Sequence, residues 1–213
     1  MQNLRDTAYQ MFTQHLLHRD IRPGQFISQR ELVELTGMPL GAIREAIPRL
    51  EADGLIITVP QRGMQIAHVD LTLIRNAFQF RLFLEREAAA LFTLSATDEQ
   101  LQHIRAAHEA ILEEAANGIT PELIAKAQAV DWGLHDTLID AVGNEIISNA
   151  YRVNSVKIRL IRQEQTRISD SLVLPVMYEH LTVVEALESR DPVRAATAIA
   201  NHITIARNRA LSV

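Results

Sequence analysis

From Asp70 to the end of the sequence, apolar residues recur every three to four positions in long runs, and no stretch shows the convincing two-residue alternation of a strand. Stripes of that kind are buried by packing helix against helix. The breaks between runs are brief, and three carry start signals: Thr97 followed by Asp98 and Glu99, Thr120-Pro121-Glu122, and Asp191-Pro192. Helices are expected over about residues 70–94, 98–117, 121–142, 144–168, 173–189 and 191–211, an all-helical bundle.

Polar residues interrupt these stripes at telling places. Asp131 and His135 are four apart on one helix face, which Leu138 and Val142 continue. His180 falls in the row Val176, Met177, Val184, Leu187, and His202 in the row Ala195, Ala198, Ile199, Ile205, Ala206. Three helices can therefore aim one carboxylate and three imidazoles at a single point, where a divalent cation would offset the cost of burying them. A histidine on an apolar face is more often a hydrogen-bonded core residue, and an Asp can simply pair with the His four residues on, so spacing alone leaves both readings open. With no cysteine in the chain, any metal is held by nitrogen and oxygen.

The first 68 residues follow a different pattern. Leu4, Ala8, Met11, Phe12, His15 and Leu16 mark an amphipathic helix that Pro23-Gly24 ends; Ser28-Gln29-Arg30-Glu31 has the form of a capping box, and Gly37 stops the helix it opens. Pro39 opens a third helix through Ile43, Ile47 and Leu50 to Gly54. Pro48 lies inside it without the N–H that would bond the Arg44 carbonyl, at a cost of about 3 kcal/mol in a regular helix, which predicts a kink or local opening near Arg44. The strand formers 55–59 and 64–67 flank Pro60-Gln61-Arg62-Gly63 and read as a hairpin. Two short helices joined by a tight turn and followed by a hairpin make a winged helix-turn-helix, whose second helix enters the major groove of DNA. Residues 1–68 hold seven arginines and seven acids, so the net charge of −5 lies wholly in the remainder. Bulk charge therefore leaves DNA binding to the placement of those arginines.

The stretch ELVELTGMPLGAIREAIPRLEADGLIITVPQRGMQIA, with its REA, RLE, DGL and RG elements in register, resembles the head of GntR-type bacterial transcription regulators. That resemblance implies phosphate or base contacts for Arg30 and Arg44, and a wing tip at Arg62-Gly63. It also implies a recognition-helix entrance at Pro39-Leu40-Gly41, where the family's usual arginine is replaced by Leu40, which cannot make a bidentate contact to guanine. Asp131-Trp132-Gly133-Leu134-His135, Glu179-His180 and Asn201-His202-Ile203 resemble the three metal-ligand motifs of the FCD domain found behind such heads, in the FadR subfamily. Leu134 stands where an aromatic is usual. Six helices rather than seven is similar to the VanR-like branch.

The resemblance assigns Asp131, His135, His180 and His202 as metal ligands, with zinc the first expectation and nickel, manganese or iron also suited. Arg81, in a segment similar to the domain's first-helix motif, would grip the carboxylate of a small organic acid effector, or else simply pair with Glu85. Arg159 and Asn201 are further candidates to line that cavity. The expected layout is a mainly α chain with a winged helix-turn-helix over 1–68 and a metal- and effector-binding, dimerising helical domain over 69–213. The expected function is a homodimeric regulator of double-stranded operator DNA, most often a repressor and not an enzyme. A cytoplasmic protein is expected, since no apolar run approaches the roughly 20 residues that cross a bilayer and MQNLRDTAYQ lacks a signal peptide's apolar stretch. The alternatives are a metal-dependent hydrolase, for which Asp136 and Glu179 should both point off the ligand face, and a regulator for which the metal itself is the signal.

Overall fold

The computed structural model describes residues 3–165 and 168–212. Helix α1 (Leu4–Leu17) is capped by the Asn3 side chain and buries Ala8, Tyr9, Phe12 and Leu16. Helix α2 (Gln29–Thr36) opens on the expected capping box, with Ser28 and Glu31 each bonding the other's backbone N–H, and ends at Gly37 in the left-handed conformation. Helix α3 (Leu40–Ala52) follows after Pro39.

Strand β1 (Phe26–Ile27) was not foreseen, because two residues cannot show a period. It pairs with β3 (Gly63–Ile66), which pairs in turn with β2 (Ile56–Val59), giving an antiparallel sheet of order β1-β3-β2. Leu16, Ile21, Leu32, Leu50, Leu55, Ile56 and Ile66 are nearly inaccessible and form the core of this head.

The local opening expected at Pro48 does not interrupt α3, which runs helical through it. Arg44 and Pro48 are both exposed, one turn apart, so the Arg44 carbonyl that Pro48 cannot serve lies on the solvent side.

Six helices follow among the described residues: α4 (Leu71–Ser95), α5 (Asp98–Ala115), α6 (Pro121–Asp140), α7 (Glu145–Gln165), α8 (Asp170–Glu188) and α9 (Pro192–Leu211). Residues 166 and 167, inside the stretch expected as helix, lie outside the described residues. Thr97, Thr120 and Asp191 cap α5, α6 and α9 as their sequence implies. Helix α8 begins three residues earlier than expected, after Ser169, with Pro175 more than a turn inside it. The chain divides into two compact units, Met1–Ile74 with Ser155–Glu164, and Arg75–Asn154 with Gln165–Val213; α7 contributes to both.

Gly63 takes φ +89°, and a Cβ there would stand 3.1 Å from the Ile27 carbonyl oxygen of β1. The glycine is thus required by the sheet, whatever it meets on DNA. Gly63→Ala is expected to destabilise the head by about 1–2 kcal/mol through the left-handed backbone and this contact, read as a lowered thermal midpoint.

Candidate metal and effector centre

Every helix of the second unit sends a polar side chain to one buried cluster. Asp131 and His135 come from α6, His180 from α8 and His202 from α9, all at most 4% exposed. Each offers one ligand atom, and these atoms lie within 4.8 Å of one another. His180 Nε2 is 3.2 Å from His202 Nε2 and 3.5 Å from Asp131 Oδ1. Neighbouring ligands around a cation bonded at about 2.1 Å lie roughly 3.0–3.4 Å apart, so the 3.2 and 3.5 Å spacings come close to those of a shared ion, while the wider pairs, up to 4.8 Å, would draw together on binding one.

A second ring of residues holds the imidazoles, and sequence reasoning had not found it as such. Glu85 of α4, fully buried, meets His135 Nδ1 through Oε2 at 2.7 Å, while its Oε1 accepts from Arg81 Nε at 2.5 Å and from the Tyr151 hydroxyl of α7 at 2.7 Å. His108 of α5 places Nδ1 2.7 Å from the Ile104 carbonyl and Nε2 3.1 Å from His180 Nδ1. Glu179 lies 3.1 Å from His202 Nδ1 and pairs with Arg209. Glu179 therefore does not turn away from the centre as expected; it braces it from outside.

These contacts fix where the protons sit. The Ile104 carbonyl only accepts, so His108 carries its proton on Nδ1, and its Nε2 accepts from His180 Nδ1–H. Glu85 and Glu179 accept from His135 and His202 in the same way. In their neutral forms His135, His180 and His202 then all present Nε2 lone pairs inward, toward the Asp131 carboxylate. His135 Nε2 is buried with no hydrogen-bond partner among the described residues. The centre is thus a set of acceptors, and a cation matches it.

The charges around it follow from burial. Burial alone would raise the Glu85 pKa, but Arg81, then His135 and the hydrogen bonds, outweigh it and hold the carboxyl well below its usual range. Burial opposes the Arg81 cation, which Glu85, Tyr151 and Asp131 more than sustain. The expected Arg81–Glu85 pair therefore exists, yet it uses Nε only. Arg81 Nη1 and Nη2 are buried with no hydrogen-bond partner among the described residues, although Arg81 is 1% exposed. Its charge depresses both His135 and His202, which places it beside the cluster electrically.

Two of the expected lining residues are not gathered here. Asn201 is exposed, one position off the buried face of α9, and borders surface hollows. Arg159 is half-buried in the part of α7 that belongs to the first unit.

In the head, Arg30 is exposed beside Glu34 at 3.2 Å, Arg44 Nε donates to Gln29 at 3.0 Å, and the Arg62 guanidinium lies 5.9 Å from the Phe26 ring centroid. Leu40 and Gly41 are exposed at the start of α3. All of these residues stand on accessible positions of the helix-turn-helix or its wing.

A winged helix-turn-helix joined to a helical unit built around a buried polar centre is the architecture of a DNA-binding transcription regulator. The FCD domain profile matches residues 76–204, and that of the bacterial regulatory proteins, gntR family, matches residues 4–66. The chain belongs to the GntR family of bacterial regulators, in the group that carries an FCD domain. The Nta operon transcriptional regulator of Aminobacter aminovorans is 26% identical over 186 residues, 85% of this chain and 82% of its own. The HTH-type transcriptional repressor RspR of Escherichia coli (strain K12) is 23% identical over 204 residues, 95% of this chain and 86% of its own. The solved structure of E. coli McbR/YncC shares the fold, with a TM-score of 0.77 at 17% identity over 100% of this chain and 99% of that one. No helix of the described residues is long and apolar enough to cross a membrane.

Burial lowers the His202 pKa from 6.5 to about 4, with His135 and Arg81 adding to it against the Glu179 hydrogen bond. His108 and His135 are lowered as well, again chiefly by burial. Between the two values the unfolded chain binds the extra proton, so acid favours unfolding. With no cation bound, stability should fall as pH drops from about 6.5 toward 4, His202 alone accounting for on the order of 2 kcal/mol by about pH 5. Thermal unfolding of chelator-treated protein across this range checks it; a flat profile would contradict neutral, buried imidazoles.

Proposed function

We propose that this regulator holds one divalent metal on Asp131, His135, His180 and His202 and releases its operator when a small organic acid binds beside it. The observation that carries the reading is the convergence of three Nε2 lone pairs and a carboxylate next to a buried arginine with two open donor nitrogens. When bound, zinc or a similar ion supplies a Lewis-acid charge that neutralises Asp131 and attracts a carboxylate. Arg81 supplies the directional part: Nε is locked onto Glu85, so the guanidinium cannot rotate away, and Nη1 and Nη2 remain for a charge-assisted pair to the acid. Glu85, His108 and Glu179 keep each imidazole in the tautomer that presents Nε2.

The head is proposed to bind a pseudo-palindromic operator as one half of a homodimer and to repress. Repression is what one relative, RspR, is named for. Arg44 on the exposed face of α3 and Arg62 on the wing would contact the duplex, with Arg30 on phosphate. Leu40 offers an apolar contact, which suits a thymine methyl rather than guanine at that position. Helix α7 supplies Tyr151 to one unit and Leu160 to the other, giving the acid an element through which to favour one arrangement of the heads.

The hydrolase reading finds little here, since Asp136 is 2.5 Å from Arg152 and Glu179 is occupied with His202 and Arg209. The test is operator binding at fixed metal while carboxylic acids are added. Wild type should release DNA; His135→Ala/His180→Ala should lose metal and response together. Arg81→Gln leaves the buried Glu85 without its counter-charge and should lower stability by about 3–5 kcal/mol; the folded variant should keep the metal and the operator but bind the acid about 10–100-fold more weakly, the loss of a charged hydrogen bond. Release that follows metal concentration and ignores every acid would make the metal the signal instead.

A further inference from the structure

The charges of the buried centre can be counted, because hydrogen bonding and ligation fix each of them. Arg81, Glu85 and Asp131 are almost inaccessible, so none of the three shares its charge with solvent. The Arg81 guanidinium is always protonated. Glu85 only accepts, from Arg81 Nε, the Tyr151 hydroxyl and His135 Nδ1, so it is an ionised carboxylate and Tyr151 a neutral phenol. Imidazoles that give Nε2 to a cation are neutral, and a carboxylate that does so is ionised, which settles His135, His180, His202 and Asp131. Outside them, Glu179 is matched by Arg209 and Asp136 by Arg152. Among the described residues, then, Arg81 stands against Glu85 and Asp131, an excess of one negative charge. A divalent cation turns this into an excess of one positive charge.

We propose that the metal-loaded centre selects acids with a single negative charge, small monocarboxylates, over dicarboxylates of the same shape. The inference rests on the metal and acid reading above and names the class of acid that the site takes. One carboxylate brings the buried charge to zero and finds Arg81 Nη1 and Nη2 as its directional partners. A neutral amide would leave one positive charge buried, and a dicarboxylate one negative charge. Either excess is costly here, since the surroundings that strengthen a matched pair also penalise an unmatched charge. The donors alone would not make this choice, because they could serve either end of a diacid. A second carboxylate, however, has nothing to meet. Arg209 is committed to Glu179, and both nitrogens of His108 are taken, Nδ1 by the Ile104 carbonyl and Nε2 by His180.

Calorimetric titration of the full metal-loaded chain, repeated by the visible spectrum of the cobalt(II) form, tests this with acetate, malonate, malonamate and malonamide. The last three share one shape and differ in charge. The better of the two monoanions, acetate or malonamate, should bind about 100-fold more tightly than malonate, and malonamide should not bind. Asp131→Asn keeps an oxygen ligand and raises the count by one; Glu85→Gln makes the same change at a residue that does not touch the metal. In either metal-bearing variant the preference for malonamate over malonate should fall about tenfold or more. The stronger hydration of a dianion would act alike in all three proteins, so a ratio that stays at its wild-type value overturns the proposal. If one variant loses its metal the other decides, and the wild-type comparison decides if both do. Malonate binding wild type as tightly as the better monoanion overturns the charge selection and leaves the acid reading standing. Failure of both monoanions to bind overturns the two together.

Discussion

The helical unit depends on one buried carboxylate. Glu85 takes hydrogen bonds from Arg81, His135 and Tyr151, three residues on three helices, and is itself fully buried. Removing it would leave the buried Arg81 cation without its nearest counter-charge and His135 without the contact that fixes its tautomer. Loss of one partner from a buried ionic pair costs about 3–5 kcal/mol, far more than the pair contributes over an apolar substitute. The arrangement is therefore a poor way to gain stability, and it makes better sense as a way to hold two inward-facing groups, the His135 Nε2 lone pair and the Arg81 Nη donors, in fixed places.

The same logic extends around the cluster. Each imidazole of the cluster is held at Nδ1 by an acceptor: Glu85, His108 or Glu179. His108 can accept only because its own Nδ1 is committed to the Ile104 carbonyl. The hydrogen bonds thus concentrate acceptor character at the centre and donor character at Arg81. A cation and a carboxylate anion are complementary to those two features, and neither alone satisfies both.

Much of this was legible in the sequence because helices announce themselves. The row around His180, the caps at Ser28, Thr97, Thr120 and Asp191, and the stop at Gly37 are local signals, and they appear where the pattern put them; the row around His202 holds at Ala195 and Ile199, but Ile203 is buried in place of the exposed Ile205. That Asp131, His135, His180 and His202 come together was legible for a related reason: each breaks an apolar stripe. His108 breaks one too, between Ile104 and Ile111, and that interruption was the signal available for it. Glu85 and Tyr151 were harder, since an acid one turn from an arginine reads as a surface pair until the helix is placed in a core. Strand β1 exists only through its pairing with β3, and the exposure of Asn201 depends on a rotation of one helical position.

The claim on which the rest turns is that the three Nε2 atoms and Asp131 surround a cation. The direct measurement is X-ray absorption on protein reconstituted with one equivalent of zinc or nickel. The account predicts a stoichiometric site whose first shell contains three imidazole nitrogens and at least one oxygen. A protein that takes up no metal, or one whose bound ion shows fewer than three imidazoles, would contradict it and return the four residues to a hydrogen-bonded polar cluster.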